Sequence, residues 1–184
     1  MLLRSLATAA CCALLTTAGV AQMGSAQTEK PAAKAIASPP ATAEVSLNGK
    51  QVTIHYNSPR IKGRKIGVEV VPYGQVWRTG ANPATTLITA TNLKIGTLDV
   101  PAGTYTIYTL PNSDQWLLIV NKQTGQWGTE YSESKDLGRT PMQGKTLPSS
   151  QEDMSISFEH THGSSTELHV KWATTDEWVD VHAE

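Results

Sequence analysis

Beyond its twelfth residue the 184-residue chain has no cysteine, since Cys11 and Cys12 are the two it contains. No disulfide framework can staple the fold that follows, and thiol chemistry is excluded from it. Phenylalanine occurs once and aromatics make up 6% of the chain, so the core must rest on branched aliphatics with a few tryptophans and tyrosines. Charge of one sign is also missing, with 15 basic against 16 acidic side chains. A chain with no basic excess has little electrostatic hold on nucleic acid or an anionic membrane surface, and neither is expected as its partner. No G-x-S-x-G elbow occurs, no repeat is visible, and no stretch keeps a 3.6-residue period long enough for a core helix.

What is present begins with an address. Arg4 precedes an acid-free apolar run from Leu6 to Val20, followed by small-residue sites at Ala21 and at Gly24-Ser25-Ala26. One early cation, a run too short to span a bilayer and a small-x-small site describe a signal peptide over residues 1–26, cut after Ala21 or Ala26. Both cysteines would leave with it. A lipoprotein reading would instead keep Cys11 or Cys12 as the lipidated residue, against which stand the short run before it and Thr8 in place of the usual leucine. The expected location is periplasmic or secreted, with no membrane span in the mature chain. Residues 27–42, QTEKPAAKAIASPPAT, carry Ile36 as their one large apolar side chain and are expected to be a flexible linker. Residues 43–184 are then one domain of ordinary size. Without Arg4, 14 basic face 16 acidic side chains, a net charge of −2.

Strand signals dominate that domain. Asn48-Gly49 predicts a hairpin between Glu44–Leu47 and Lys50–Tyr56. In its second arm Val52, Ile54 and Tyr56 share one face, which puts His55 on the solvent side. Further strands are expected over Thr86–Thr91, over Leu93–Val100 as another short strand or the bent continuation of the one before, over Thr104–Leu110, and over Gln115–Asn121, the last apolar on both faces. Alternation returns at Met154, Ile156 and Phe158 and at Leu168, Val170 and Trp172, with a short strand over Trp178–Val181. Residues 122–151 show no regular pattern. About eight short strands punctuated by Gly, Pro, Asn and Asp predict an all-β fold, an antiparallel β-sandwich or flattened barrel.

Candidate chemistry is sparse. His160 and His162, two apart on a strand, are weak metal candidates, with His169 and Glu159 or Glu167 nearby. If Phe158 pairs with Val170 to keep both in the core, His169 falls opposite Glu159 on the outer face and His160 opposite Leu168 on the inner one. On that register the histidines do not converge, and neither metal nor cofactor is expected. Asp99, Asp114, Glu130 and Asp136 are acids that only the fold could pair. The loop Ser58–Lys65 places Arg60, Lys62, Arg64 and Lys65 together, as a solvated turn or as one wall of an anion-binding surface.

The segment most demanding of residue type is Val71–Thr85, VPYGQVWRTGANPAT. A residue before proline is pushed toward extended backbone, so Asn82 is expected extended with its amide free. Arg78 brings a rigid fork of donors, and Trp77 a flat apolar face. Arg78 either satisfies loop carbonyls or, with Arg60, Arg64, Tyr73, Trp77, Asn82, Trp127, Tyr131 and Asp136, forms a notch for a carboxylate, phosphate or sugar.

Ser58-Pro-Arg-Ile-Lys-Gly-Arg64, the Val71–Asn82 string, Pro101-Ala-Gly-Thr-Tyr105, Asn121 and Trp127-Gly-x-x-Tyr131 resemble an exported bacterial family catalogued as domain of unknown function 2911. The resemblance covers residues 43–181 and implies an all-β exported domain with no established activity, cofactor or catalytic residue. That family commonly carries an acid after the asparagine where this chain has Pro83, so a role for such an acid does not carry over. Three readings follow: a non-enzymatic module that binds a small polar ligand, a glycan or an envelope protein; a hydrolase of cell-wall or sugar substrates using Asp136 with Arg78; or a purely structural envelope protein.

Overall fold

Asn48 and Gly49 take positive φ, 49° and 76°, the turn that matches the twist of two adjacent strands. It joins β1 (Pro40–Leu47) to β2 (Lys50–Asn57) with Leu47 opposite Lys50. This computed structural model describes residues 37–184. The expected signal peptide, both cysteines and the linker as far as residue 36 lie outside the described residues. β1 already begins at Pro40, three residues before the boundary expected for the linker.

The remaining strands are β3 (Ile66–Gly67), β4 (Val70–Pro72), β5 (Thr86–Thr89), β6 (Leu93–Ile95), β7 (Leu98–Val100), β8 (Gly103–Leu110), β9 (Leu117–Asn121), β10 (Asp136–Pro141), β11 (Gln143–His162) and β12 (Ser165–Ala183). One antiparallel sheet has the order β1-β2-β5-β8-β9-β10, a second β11-β12-β6-β7, and β3 pairs with β4 in a small parallel ribbon. Both large sheets are open rather than closed into a barrel. Val52, Ile54, Leu87, Ile107, Leu118 and Val120 from the first meet Leu93, Ile95, Ile156, Leu168, Val170 and Val181 from the second in one core. The fold is therefore all-β and sandwich-like, as its strand pattern predicts.

Alternation explains most of the burial. Val52 and Ile54 are fully buried while Gln51 and His55 are exposed. In β9, Ile119 on the outward face is as buried as Leu118 and Val120. Its neighbour Tyr108 lies under Tyr131, ring centroids 5.0 Å apart, so the segment after Asn121 covers that outer face. Tyr105 donates from its hydroxyl to the Pro101 carbonyl at 3.0 Å, a tyrosine corner that accounts for the Pro-Ala-Gly-Thr-Tyr string.

Three expectations need correction. Residues 122–151 are irregular only in their first part, because a short 3₁₀ turn (Glu133–Lys135) leads directly into β10 and β11. Residues 136–151 have no alternation to read, since β10 and β11 are sheet edges and Gln143–Thr146 at the start of β11 are all exposed. Pro40, Pro141 and Pro148 fall on the edge strands β1, β10 and β11, where a missing N–H costs no ladder bond. Second, β11 and β12 run 20 and 19 residues, so the expected strand at Trp178–Val181 is the end of a long one. Third, Phe158 pairs with Leu168 and Ile156 with Val170, two residues from the register expected for Phe158.

Candidate functional site

The corner Trp77–Asn82 is closed by neutral groups. Trp77 exchanges backbone hydrogen bonds with Thr109 at 2.8 and 2.9 Å, and Ala81 N–H donates to the Asn57 carbonyl at 3.1 Å. The Thr85 hydroxyl donates to the Thr79 carbonyl at 2.9 Å and the Trp77 indole to the Gly80 carbonyl at 3.2 Å. Trp77 stacks on Trp172 of β12, centroids 5.7 Å apart, and meets Trp116 edge-on at 6.2 Å. These contacts tie the corner to both sheets.

Arg78 takes no part in that closure. Its Nε is buried and has no hydrogen-bond partner among the described residues. A buried guanidinium N–H with no acceptor is costly, and such a group calls for an explanation. Arg78 lines a cavity of about 350 Å³ with Arg64, Val71, Trp77, Asn82 and Trp172, and among the described residues no carboxylate lines it. Its stem lies against Gly128, where any Cβ would collide with the Arg78 Cδ and come within 2.8 Å of the Asn82 carbonyl. Gly128 is thus required by close approach.

The backbone here is strained. Val71, Thr79 and Asn82 hold φ of 53°, 50° and 61°, a region that β-branched residues avoid. Asn82 is therefore left-handed rather than extended as its place before Pro83 predicts. Asparagine tolerates that region, and the turn aims the Asn82 carbonyl at the Gly128 N–H, 3.2 Å away.

Other candidates scatter. Arg60 faces Glu152 and Asp153 at 3.5 and 3.3 Å, away from the cavity lining. Arg64 lines it but donates to the carbonyls of Ile61 and Arg60 at 3.0 and 2.7 Å. Tyr73 lines a neighbouring cavity of about 320 Å³ with Arg64, Ser150 and Thr175. Trp127 is exposed and bridges to Pro83, which keeps the loop after Asn121 against the corner without lining the cavity.

Tyr131 and Asp136 belong to a separate, saturated cluster. The Asp136 carboxylate accepts from Asn121 at 2.8 Å, from the Tyr131 hydroxyl at 2.7 Å and from Arg139 Nε and Nη2 at 3.1 and 3.0 Å. Burial first, then the hydrogen bond and charge of Asp136, push the Tyr131 hydroxyl up to about 12. With its lone pairs so committed, Asp136 is placed as a clasp for the 122–135 loop rather than as a free acid. Among the remaining acids, Asp114 and Glu177 line a cavity of about 260 Å³ with Lys145. Burial, then the adjacent Asp176 charge, push Glu177 up to about 7.

Sequence reasoning missed Trp172, which reads as an ordinary core position, and the grouping of His160, Glu167 and His169. His162 pairs with Ser165 at the hairpin tip instead. A left-handed His160, φ 51°, sits in a bulge of β11. The bulge turns its ring to the face that Glu159 and Glu167 share, where alternation would have sent it inward.

Fold and corner together define an all-β, sandwich-like domain with an open notch of arginine and tryptophan. The chain belongs to the family described as a protein of unknown function (DUF2911), whose family model matches residues 38–181. No curated protein and no solved structure matches it.

Proposed function

We propose that this is an exported, non-enzymatic binding module that takes a small anionic ligand at the notch of Trp77, Arg78, Asn82 and Trp172. The observation that carries this is Arg78, a cation whose buried Nε has no partner among the described residues, in a cavity that none of their acids lines. A carboxylate, phosphate or sulfate would form a charge-assisted pair with the Arg78 guanidinium, and the indole edges would hold an apolar portion. Threonine hydroxyls and backbone groups already close the corner, so the structural role that would compete for the guanidinium is filled. Among the described residues a hydrolase at this notch lacks its acid, since none lines it and Asp136 is held in its own cluster.

The test is a melting screen of tag-free protein against small carboxylates, phosphates, sulfates and acidic sugars, followed by calorimetry on any hit. At least one class should raise the melting temperature in low salt, with binding weakened about tenfold or more by Arg78→Gln, a loss of roughly 1.4 kcal/mol or greater. A variant that melts several degrees lower, with no ligand class binding the parent, would return Arg78 to a structural role.

A further inference from the structure

The β11–β12 hairpin carries a second cluster, remote in residue identity from the notch. His160 Nδ1 lies 2.8 Å from Glu167 Oε2, and His169 Nε2 lies 2.9 Å from the same oxygen. One donor atom from each of the three lies within 4.8 Å of the others. On its far side His169 Nδ1 stands 2.7 Å from Asp176 Oδ1, and His169 and Asp176 are 1% and 0% exposed. Trp178 stacks on the His169 ring, centroids 5.5 Å apart with planes at 13°.

Carboxylate contacts at both ring nitrogens are both hydrogen bonds only when both nitrogens carry hydrogen. A neutral His169 that donates to Asp176 from Nδ1 turns the Nε2 lone pair toward the Glu167 oxygen. A proton on Nε2, or a metal ion between Nε2 and Oε2, satisfies both atoms. A buried carboxylate fixing the tautomer of a histidine whose other nitrogen faces outward is also the arrangement that supports metal-binding histidines. Glu159 stands ready as a further oxygen. Its Oε1 accepts from Lys171 at 2.6 Å and Ser157 at 2.7 Å, while Oε2 lies 3.9 Å from His169 Nε2.

We infer that His160, Glu167 and His169 form a binding site for a divalent first-row metal ion of the zinc type, with Glu159 as fourth ligand and Asp176 as the residue that positions His169. Two imidazoles and carboxylates suit zinc, whose ligands lie at about 2.0–2.2 Å. Closing around an ion requires the atoms now at 2.8 and 2.9 Å to part by a few tenths of an ångström, for tetrahedral ligands at those radii sit about 3.3 Å apart. His160, its side chain 65% exposed, is free to make that adjustment.

The test is titration of tag-free protein with Zn²⁺ against a chromophoric chelator. A single ion should bind with Kd below about 1 µM. His160→Ala, at an exposed position that leaves the fold intact, should weaken binding by about tenfold or more, while His162→Ala leaves it unchanged. His169→Gln should abolish it, and far-UV circular dichroism checks that this buried variant is folded. Binding weaker than micromolar would overturn the assignment, as would equal effects of His160→Ala and His162→Ala. Neither result bears on Arg78, which takes no part in this cluster.

Discussion

Arg78 divides the structural role from the functional one at the level of a single side chain. Because no acceptor among the described residues depends on its buried Nε, Arg78→Ala should cost less than about 1 kcal/mol, the loss of stem packing alone; stranding buried acceptors would cost about 1–3 kcal/mol. Urea denaturation of the two proteins measures the difference. Gly128→Ala tests the same place from the opposite wall. A methyl there collides with the Arg78 stem and the Asn82 carbonyl, so about 1–3 kcal/mol should be lost and ligand binding should fall with it. Glu177 provides the pH dependence. Its carboxyl rises from 4.5 to about 7 on folding, through burial and then Asp176. An acid with a raised folded value contributes stability that is full below about pH 4.5 and is lost as pH climbs toward 7. Glu177→Gln should therefore flatten this fall and stabilise the protein at pH 8 by roughly 1–2 kcal/mol after allowance for solvent screening, read from melting curves between pH 4 and 8. The setting of Arg78 in a segment demanding of residue type is legible in the sequence, but the lack of a partner for its Nε is not. That depends on Thr79, Thr85 and Thr109 closing the corner across up to 30 residues of sequence.

At the level of elements, strands with one buried face announced themselves, as β2 does, because period two survives wherever a face is dry. β11 and β12 hide their geometry because bulges break that period. Ala173, φ 51°, is such a break in β12, with the register shifting where it faces Gln151. An extra residue there flips parity, so Asp176 and Trp178 join the face of His169. The strand must also bend, for residues seven apart in a straight strand lie about 23 Å apart, whereas Asp176 touches His169 at 2.7 Å. Nothing in the sequence signals this, since alanine carries no turn signal, and the bulge at His160 is hidden from the pattern in the same way. Ala173→Val places a branched side chain where φ is positive and should cost about 1–3 kcal/mol. It should also loosen Trp178 from His169, which lowers the near-UV dichroism of that indole. An unchanged near-UV spectrum together with full stability would show that the bend does not depend on this residue.

Across the whole molecule, the sheets are joined by apolar packing and by a few long-range polar ties. Tyr56 reaches from β2 to the Ile156 N–H of β11 at 3.2 Å, and the Ser58 hydroxyl donates to the Met154 carbonyl at 2.6 Å. These partners lie 100 and 96 residues apart, and no periodicity within either strand encodes such a pairing. They also fix where β11 lies against the edge of the first sheet, and hence where Trp172 of its partner strand meets Trp77. If the notch depends on that docking, removing one tie should act on stability and on the notch together. Tyr56→Phe keeps the ring in the core but leaves the Ile156 N–H without its acceptor, a loss of about 1–3 kcal/mol. Denaturation should remain one cooperative transition with an unchanged m-value and a lower midpoint, because the core spans both sheets. Ligand affinity at Arg78 should fall along with the midpoint. A second transition would show instead that the sheets fold as separate units, and that Trp172 is not held against Trp77 by the shared core.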